Sequence, residues 1–228
     1  MPISLSTASL YIYPLRKTFE LAKRAGFDGV ELVISPEVEW RGPEYVRRLS
    51  NEYALPILTV HPPLLGFPGW RQIHTSIAPY FDKAVRITRG VGAPLMVIHM
   101  PRAQKIDDPV GHDFVDKVVK AQTSHNGDMP RLALENMSRF IKRDSGYILR
   151  TLPDLRAFAD EYDFPMTLDT AHVGTWDLDL LDSINYFDGR LGNIHFSDLC
   201  EAPEWVMKRP RLHSYLRQHQ LPGAGHLP

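Results

Sequence analysis

The 228-residue chain is 43% hydrophobic and 23% charged, with a formal net charge of -1, so it reads as a folded domain without the basic excess of most nucleic-acid binders. A single cysteine, Cys200, excludes an intrachain disulfide and a thiolate metal cluster, so any metal must be held by nitrogen and oxygen. No stretch approaches the roughly 20 apolar residues of a membrane span and the N-terminus has no secretory pattern, so a cytoplasmic protein with no membrane partner is expected.

The apolar run Ile3 to Leu5 predicts a first strand, and Leu15, Phe19, Leu21, Ala22 and Ala25 recur at helical spacing over Pro14 to Ala25, where Gly26 stops the helix. The unit then repeats. A strand over Gly29 to Ile34 precedes a helix over Pro43 to Tyr53, and a strand over Leu55 to Val60 precedes a helix over Thr75 to Val91. Pro94 to Ile98 and a helix over Pro109 to Ser124 follow, then Leu132 to Leu134 and a helix over Leu152 to Tyr162. Met166 to Leu168, a helix over Leu178 to Phe187 and Leu191 to Ile194 complete seven strand candidates. Short apolar strands alternating with helices indicate a parallel sheet covered by helices, either an open doubly wound sheet or a (β/α)8 barrel. Thr7-Ala-Ser-Leu10 stands where the dinucleotide-binding fold needs its Gly-rich turn, which favours the barrel, as a single domain over residues 1–228. The Pro-rich stretches His61 to Pro68 and Lys208 to Arg211 are expected as strand-to-helix loops.

Chemistry-bearing side chains fall at the ends of these strands. Glu31 lies within the second, and His61, His99, Glu135 and Asp169 follow the third to the sixth. His195 follows the seventh, with Asp198 close behind. In a parallel barrel all strand C-termini share one face, so residues distant in sequence converge there. Imidazole and carboxylate donors suit zinc, manganese, cobalt or magnesium, and Glu135 is placed to bridge two ions. Glu31 is read either as a substrate contact or as the orienter of a histidine, and Asp198 as either a substrate contact or a loop-holding residue. Trp40, Trp70, Trp176 and Trp205 lie in loops after strands and are candidates for pocket walls, with Trp176 assigned to substrate; His74, His112 and His125 are expected to face solvent.

In order along the chain, Ala25-Gly-Phe-Asp-Gly-Val-Glu-Leu32, His61-Pro-Pro63, Val97-Ile-His99, Leu134-Glu-Asn136, Leu168-Asp-Thr-Ala-His172, Ile194-His-Phe-Ser-Asp198 and Leu221-Pro-Gly-Ala-Gly225 resemble the xylose isomerase-like barrel superfamily. That superfamily includes sugar isomerases and epimerases and the apurinic-site nucleases of the endonuclease IV type. The resemblance implies that Glu135, Asp169 and His195 are three of the four ligands of a shared metal, and that His61 and His99 are ligands of a further zinc. It makes His172 either a ligand of a third zinc or a substrate-contacting histidine, and His219 a further candidate metal ligand. Arg217 stands where the nuclease pattern has an acid, and Ala224 where the Gly-x-Gly turn commonly carries glutamate. The fourth shared ligand, a glutamate on an eighth strand, is expected beyond Pro228. The resemblance implies a metal-dependent sugar or sugar-phosphate isomerase or epimerase acting through a metal-bound enediolate, with Glu135 and His172 as catalytic residues and the eighth-strand glutamate as the other half of Glu135's acid-base pair. The alternatives are an apurinic-site phosphodiesterase of the AP endonuclease family 2 type and a barrel that binds metal or ligand without chemistry. The expected partners are a small carbohydrate ahead of nucleic acid and, in a homo-oligomer, further copies of the chain.

Overall fold

The computed structural model describes residues 2–124, 127, 129–139, 146–209, 212 and 216–228. They divide into two compact units, residues 1–98 with 113–132 and residues 99–112 with 133–228.

In the first unit β1 (Ser4–Ser6), β2 (Gly29–Val33), β3 (Ile57–His61) and β4 (Leu95–His99, its last residue counted with the second unit) pair in parallel in chain order. The helices between them are α1 (Leu15–Ala25), α2 (Pro36–Arg41), α3 (Pro43–Tyr53) and α4 (Phe81–Val91). α1 stops at Gly26, whose φ of +80° suits a residue without Cβ and turns its N–H back onto the Ala22 and Lys23 carbonyls. α2 was not expected from periodicity, but its cap is local: Ser35 accepts from Val38 N, and Pro36 occupies the first turn, where its missing N–H costs nothing. The helix expected from Thr75 starts at Phe81 after a 3-10 turn at Ala78–Tyr80, because Pro79 cannot donate and disfavours helical geometry in the residue before it. Phe19, Leu32, Leu49, Val60, Ala84 and Met96 form a fully buried core, each large apolar side chain contributing about 1.5–3 kcal/mol. Trp70 belongs to this core; its Nε1 donates to Glu39 at 3.1 Å, and Lys83 sits 4.8 Å from its ring.

The expected Pro109 to Ser124 helix is continuous over Pro109–Thr123, as α5 (Pro109–Phe114), a π turn at Val115–Val119 and α6 (Lys120–Thr123).

In the second unit β5 (Arg131–Glu135, from Ala133 onward), β6 (Met166–Asp169) and β7 (Leu191–His195) pair in parallel. They are separated by α7 (Leu152–Glu161), the unanticipated α8 (Thr170–Thr175), α9 (Leu180–Ile184) and a 3-10 turn at Asn185–Phe187; α10 (Glu204–Met207) follows β7. Leu155, Phe164, Met166, Ala171, Phe187 and Leu199 are its core. β6 is buried along its whole length, whereas β7 is exposed at Leu191 and Gly192 and half-buried from Asn193 to His195. Five expected strands end one residue early in the sequence reading, since β3, β4, β5, β6 and β7 each run on to include their polar terminal residue. No helix among the described residues is long and apolar enough to cross a membrane.

Candidate metal centre

Each histidine or acid assigned to a strand end is the last residue of its strand: His61 of β3, His99 of β4, Glu135 of β5, Asp169 of β6 and His195 of β7. The first lies in the first unit, where Nδ1 of His61 is 2.6 Å from the Pro62 carbonyl oxygen and Glu31 on β2 accepts from Thr59 Oγ1 at 2.9 Å. The other four lie in the second unit, together with His172 and His219.

Within the second unit Glu135 and Asp169 are both about as buried as the core, at 1% exposure. Two adjacent carboxylates so far from water need compensating positive charge. Imidazoles surround them. Glu135 faces three rings, with His99 Nε2 2.9 Å from Oε2, and with His195 Nδ1 3.1 Å and His172 Nδ1 3.4 Å from Oε1. Asp169 Oδ2 lies 3.7 Å from Nδ1 of both His195 and His219 and 3.8 Å from Nδ1 of His172. The rings of His172 and His219 meet edge to face with centroids 5.2 Å apart, and His219 holds a left-handed φ of +55°.

Burial on its own would raise the Asp169 carboxyl, and so would the charge of Glu135. The pull of His172, His219 and His195 outweighs both, and the group sits below its ordinary value. His219, whose side chain is still 44% exposed, lies below the ordinary imidazole value, the loss of water on its covered side outweighing the attraction of Asp169.

Local sequence explains how these side chains are held. Asp169 is both the end of β6 and the N-cap of α8: its Oδ1 accepts from His172 N at 2.9 Å, which leaves Oδ2 turned to the imidazoles. His172 Nδ1 is 2.8 Å from the Asn136 carbonyl oxygen; a carbonyl only accepts, so the proton lies on Nδ1 and the Nε2 lone pair is presented. Thr175 Oγ1 donates to the His172 carbonyl at 2.6 Å and accepts from Arg139 N at 2.8 Å, and Trp176 Nε1 donates to Met137 O at 2.8 Å. The segment after β5 is thus fastened along α8.

Asp198 is engaged by main-chain amides: Oδ1 accepts from Leu199 and Leu227, and Oδ2 from Gly223 and Gly225, at 2.7 to 3.1 Å. Of the two roles read for it, holding the loop is the one these bonds perform. Trp40 and Trp205 are exposed, Trp70 is packed, and His74 and His112 are exposed as expected; His125 lies outside the described residues. Asn136 was read only as part of a motif word. The signal for its role was its place directly after the buried acid and at the end of a strand.

The donor chemistry fits a divalent cation. One ligand atom from each of Glu135, Asp169 and His195 lies within 4.8 Å of the others, and Asp169, His172 and His219 satisfy the same condition. Two carboxylates and one imidazole give a net negative, oxygen-rich donor set suited to zinc, manganese, cobalt or magnesium.

The chain is 30% identical to an uncharacterized protein of Mycobacterium tuberculosis, an alignment covering 99% of this chain and 80% of that one. Among solved structures it is similar to the IOLI protein with a binding zinc atom, with TM-score 0.73 and 15% identity over 100% of this chain and 81% of that one. It is also similar to the 3-keto-D-glucoside 4-epimerase YcjR from E. coli, with TM-score 0.63 and 18% identity over 97% and 90%. Residues 19–228 match the family model described as xylose isomerase-like TIM barrel, and with parallel strands alternating with helices and donors at the strand tips, the chain belongs to that family.

Proposed function

We propose that the protein is a divalent-metal-dependent epimerase or isomerase of a sugar or sugar phosphate. The observation that carries this reading is the close approach of Glu135, Asp169 and His195, three buried or half-buried donors whose ligand atoms lie within 4.8 Å. The similarity in fold to a 3-keto-D-glucoside 4-epimerase and to a protein with bound zinc supports it.

An ion held by these three residues would act as a Lewis acid on a carbonyl oxygen and its neighbouring hydroxyl. Glu135 takes the proton from the carbon next to the carbonyl while the electron pair of that C–H bond moves toward the carbonyl oxygen; returning a proton to the other face or the adjacent carbon gives the epimer or isomer. His172, its proton fixed on Nδ1, offers Nε2 to a substrate hydroxyl, and Trp176 supplies a half-buried aromatic face beside it.

Incubating the protein with aldoses, ketoses and their phosphates in deuterated buffer, with zinc, manganese, cobalt or magnesium, tests the proposal. Deuterium should enter the carbon next to the carbonyl of at least one sugar. No incorporation from any sugar with any metal would overturn it.

A second reading, phosphodiester cleavage at abasic sites by several ions, draws on the additional donors: His99 at 2.9 Å from Glu135, and the Asp169, His172 and His219 set. Turnover of an abasic duplex would place it first.

A further inference from the structure

We infer that Asn136 is a positioning residue whose carboxamide extends the β5–β6 ladder by one step and so sets the orientation of the candidate ligand Asp169. The ladder itself shows what is replaced. Along β5 and β6 the main-chain bonds run from Leu134 N to Pro165 O at 2.9 Å and from Asn136 N to Thr167 O at 3.4 Å. In a regular parallel pair the next two bonds join Asp169 N to the main-chain oxygen of residue 136, and the N–H of residue 138 to Asp169 O. Neither is made here. Asp169 N donates instead to Asn136 Oδ1 at 2.7 Å, and Asn136 Nδ2 donates to Asp169 O at 3.1 Å.

A carboxamide carries the same donor and acceptor pair as a peptide group, so one side chain stands in for two main-chain groups. Two consequences follow. The chain after Glu135 is released from the sheet and runs along α8, while Asp169 keeps strand geometry to its last atom. The displaced Asn136 main-chain oxygen becomes the partner of His172 Nδ1 at 2.8 Å. The residue directly after Glu135 therefore orients both Asp169 and His172. Asn136 is buried, at 4% exposure, so water does not readily replace these bonds.

Other side chains do this poorly. Serine is too short to span both groups, aspartate has no donor for Asp169 O and adds a third negative charge beside two buried carboxylates, and leucine leaves both groups unsatisfied.

The part of the inference that concerns the ion rests on the metal-dependent reading above, so the test has a metal-free arm. Asn136→Ala would be compared with the wild type and with Thr88→Ala, which removes a buried hydroxyl bonded to Ala84 O at 2.8 Å in the first unit. Amide hydrogen exchange without metal should be faster at Asp169 by about tenfold or more in Asn136→Ala, as loss of one to two hydrogen bonds implies, and unchanged there in Thr88→Ala. Zinc affinity should fall by about tenfold or more in Asn136→Ala, and the visible spectrum of the cobalt form should shift, with Thr88→Ala like the wild type. Unchanged exchange at Asp169 overturns the clamp. Faster exchange with unaltered zinc affinity and cobalt spectrum overturns its role toward the ion. If the wild type takes up neither ion, the metal reading falls and the exchange result alone decides the clamp. Should Asn136→Ala not fold, Asn136→Ser serves in the same comparison with the same outcomes.

Discussion

Asp169 caps the helix that carries His172: its Oδ1 accepts from His172 N at 2.9 Å while its Oδ2 faces Nδ1 of the same residue at 3.8 Å. One carboxylate thus performs a structural and a chemical task with different oxygens, and the two can be separated by substitution. Asparagine caps helices about as well as aspartate, so Asp169→Asn should keep stability within about 1 kcal/mol of wild type. Its zinc affinity should fall by about a hundredfold or more, since removal of even an outer partner of a ligand typically costs 10- to 100-fold. Thermal unfolding and a competition titration against a chelator measure both. Equal zinc affinity in the two proteins would contradict the assignment of Asp169 as a ligand.

Removing metal should loosen the second unit. Glu135 and Asp169 repel one another in a site nearly closed to water, and an ion bound only by the native state adds about 2.7 kcal/mol when its concentration is 100 times its dissociation constant. The melting temperature should therefore rise with added zinc or manganese and fall with chelator. It should be insensitive to both in a Glu135→Gln, Asp169→Asn double variant. A melting temperature that ignores metal in the wild type would argue against the centre.

Acid should unfold the protein partly through Asp198. Burial acts to raise its carboxyl, but four main-chain amides bond the ionised form and the group lies below its ordinary value. A carboxyl with a lower value folded than unfolded binds fewer protons in the native state. Its contribution is complete above the unfolded value of about 3.9 and disappears as pH falls through the lower folded value. Asp198→Asn should cost about 1–3 kcal/mol at neutral pH, as expected for charge-assisted bonds to a buried group, and should flatten the stability profile below about pH 4. Chemical unfolding followed at several pH values gives the comparison; parallel profiles for the two proteins would count against the account.

The same carboxylate predicts the intolerance of Gly225. A Cβ at that position would lie 2.3 Å from both Asp198 Oδ1 and the Leu199 carbonyl oxygen, neither of which can swing away without breaking the loop's bonds. Gly225→Ala should destabilise by about 1–3 kcal/mol or more, as overpacking typically does. Gly223, with φ of +84° and no atom near its Cβ position, should lose about 1 kcal/mol in Gly223→Ala through backbone strain alone. The order of the two melting temperatures is the test.

Trp70 is fully buried and stacks on Tyr80 with ring centroids 5.2 Å apart. Trp70→Ala should lower stability by about 3–5 kcal/mol, whereas Trp70→Phe, which keeps the ring but not the bond to Glu39, should cost less. Denaturant midpoints would distinguish them.

Seven strands and their order were legible because nearly all-apolar runs between Gly and Pro stops have few readings other than buried parallel strands. The donors were legible because polar residues directly after such runs stand out against them. What escaped was set by contacts distant in sequence or by single caps. α8 has no apolar periodicity and begins only because Asp169 caps it, and α2 begins at Ser35 for the same reason. Trp70, a candidate pocket wall on its loop position, turns inward because Glu39, 31 residues earlier, accepts its N–H. Asn136 was visible as a letter in a motif, but its task depends on Asp169, 33 residues on, and no local pattern states it.

The residue one step before four of the five strand-end donors is a core residue facing the other way. Val60, Ile98, Leu134 and Leu168 are buried apolar side chains, while His61, His99, Glu135 and Asp169 follow them at the tips. Alternation along a strand therefore assigns packing and reactivity to adjacent positions that share no side-chain volume. Within this architecture a tip residue with no capping task can be exchanged for one with different chemistry while its neighbour keeps the helix against the sheet, so the donor set can change one strand at a time with the packing intact.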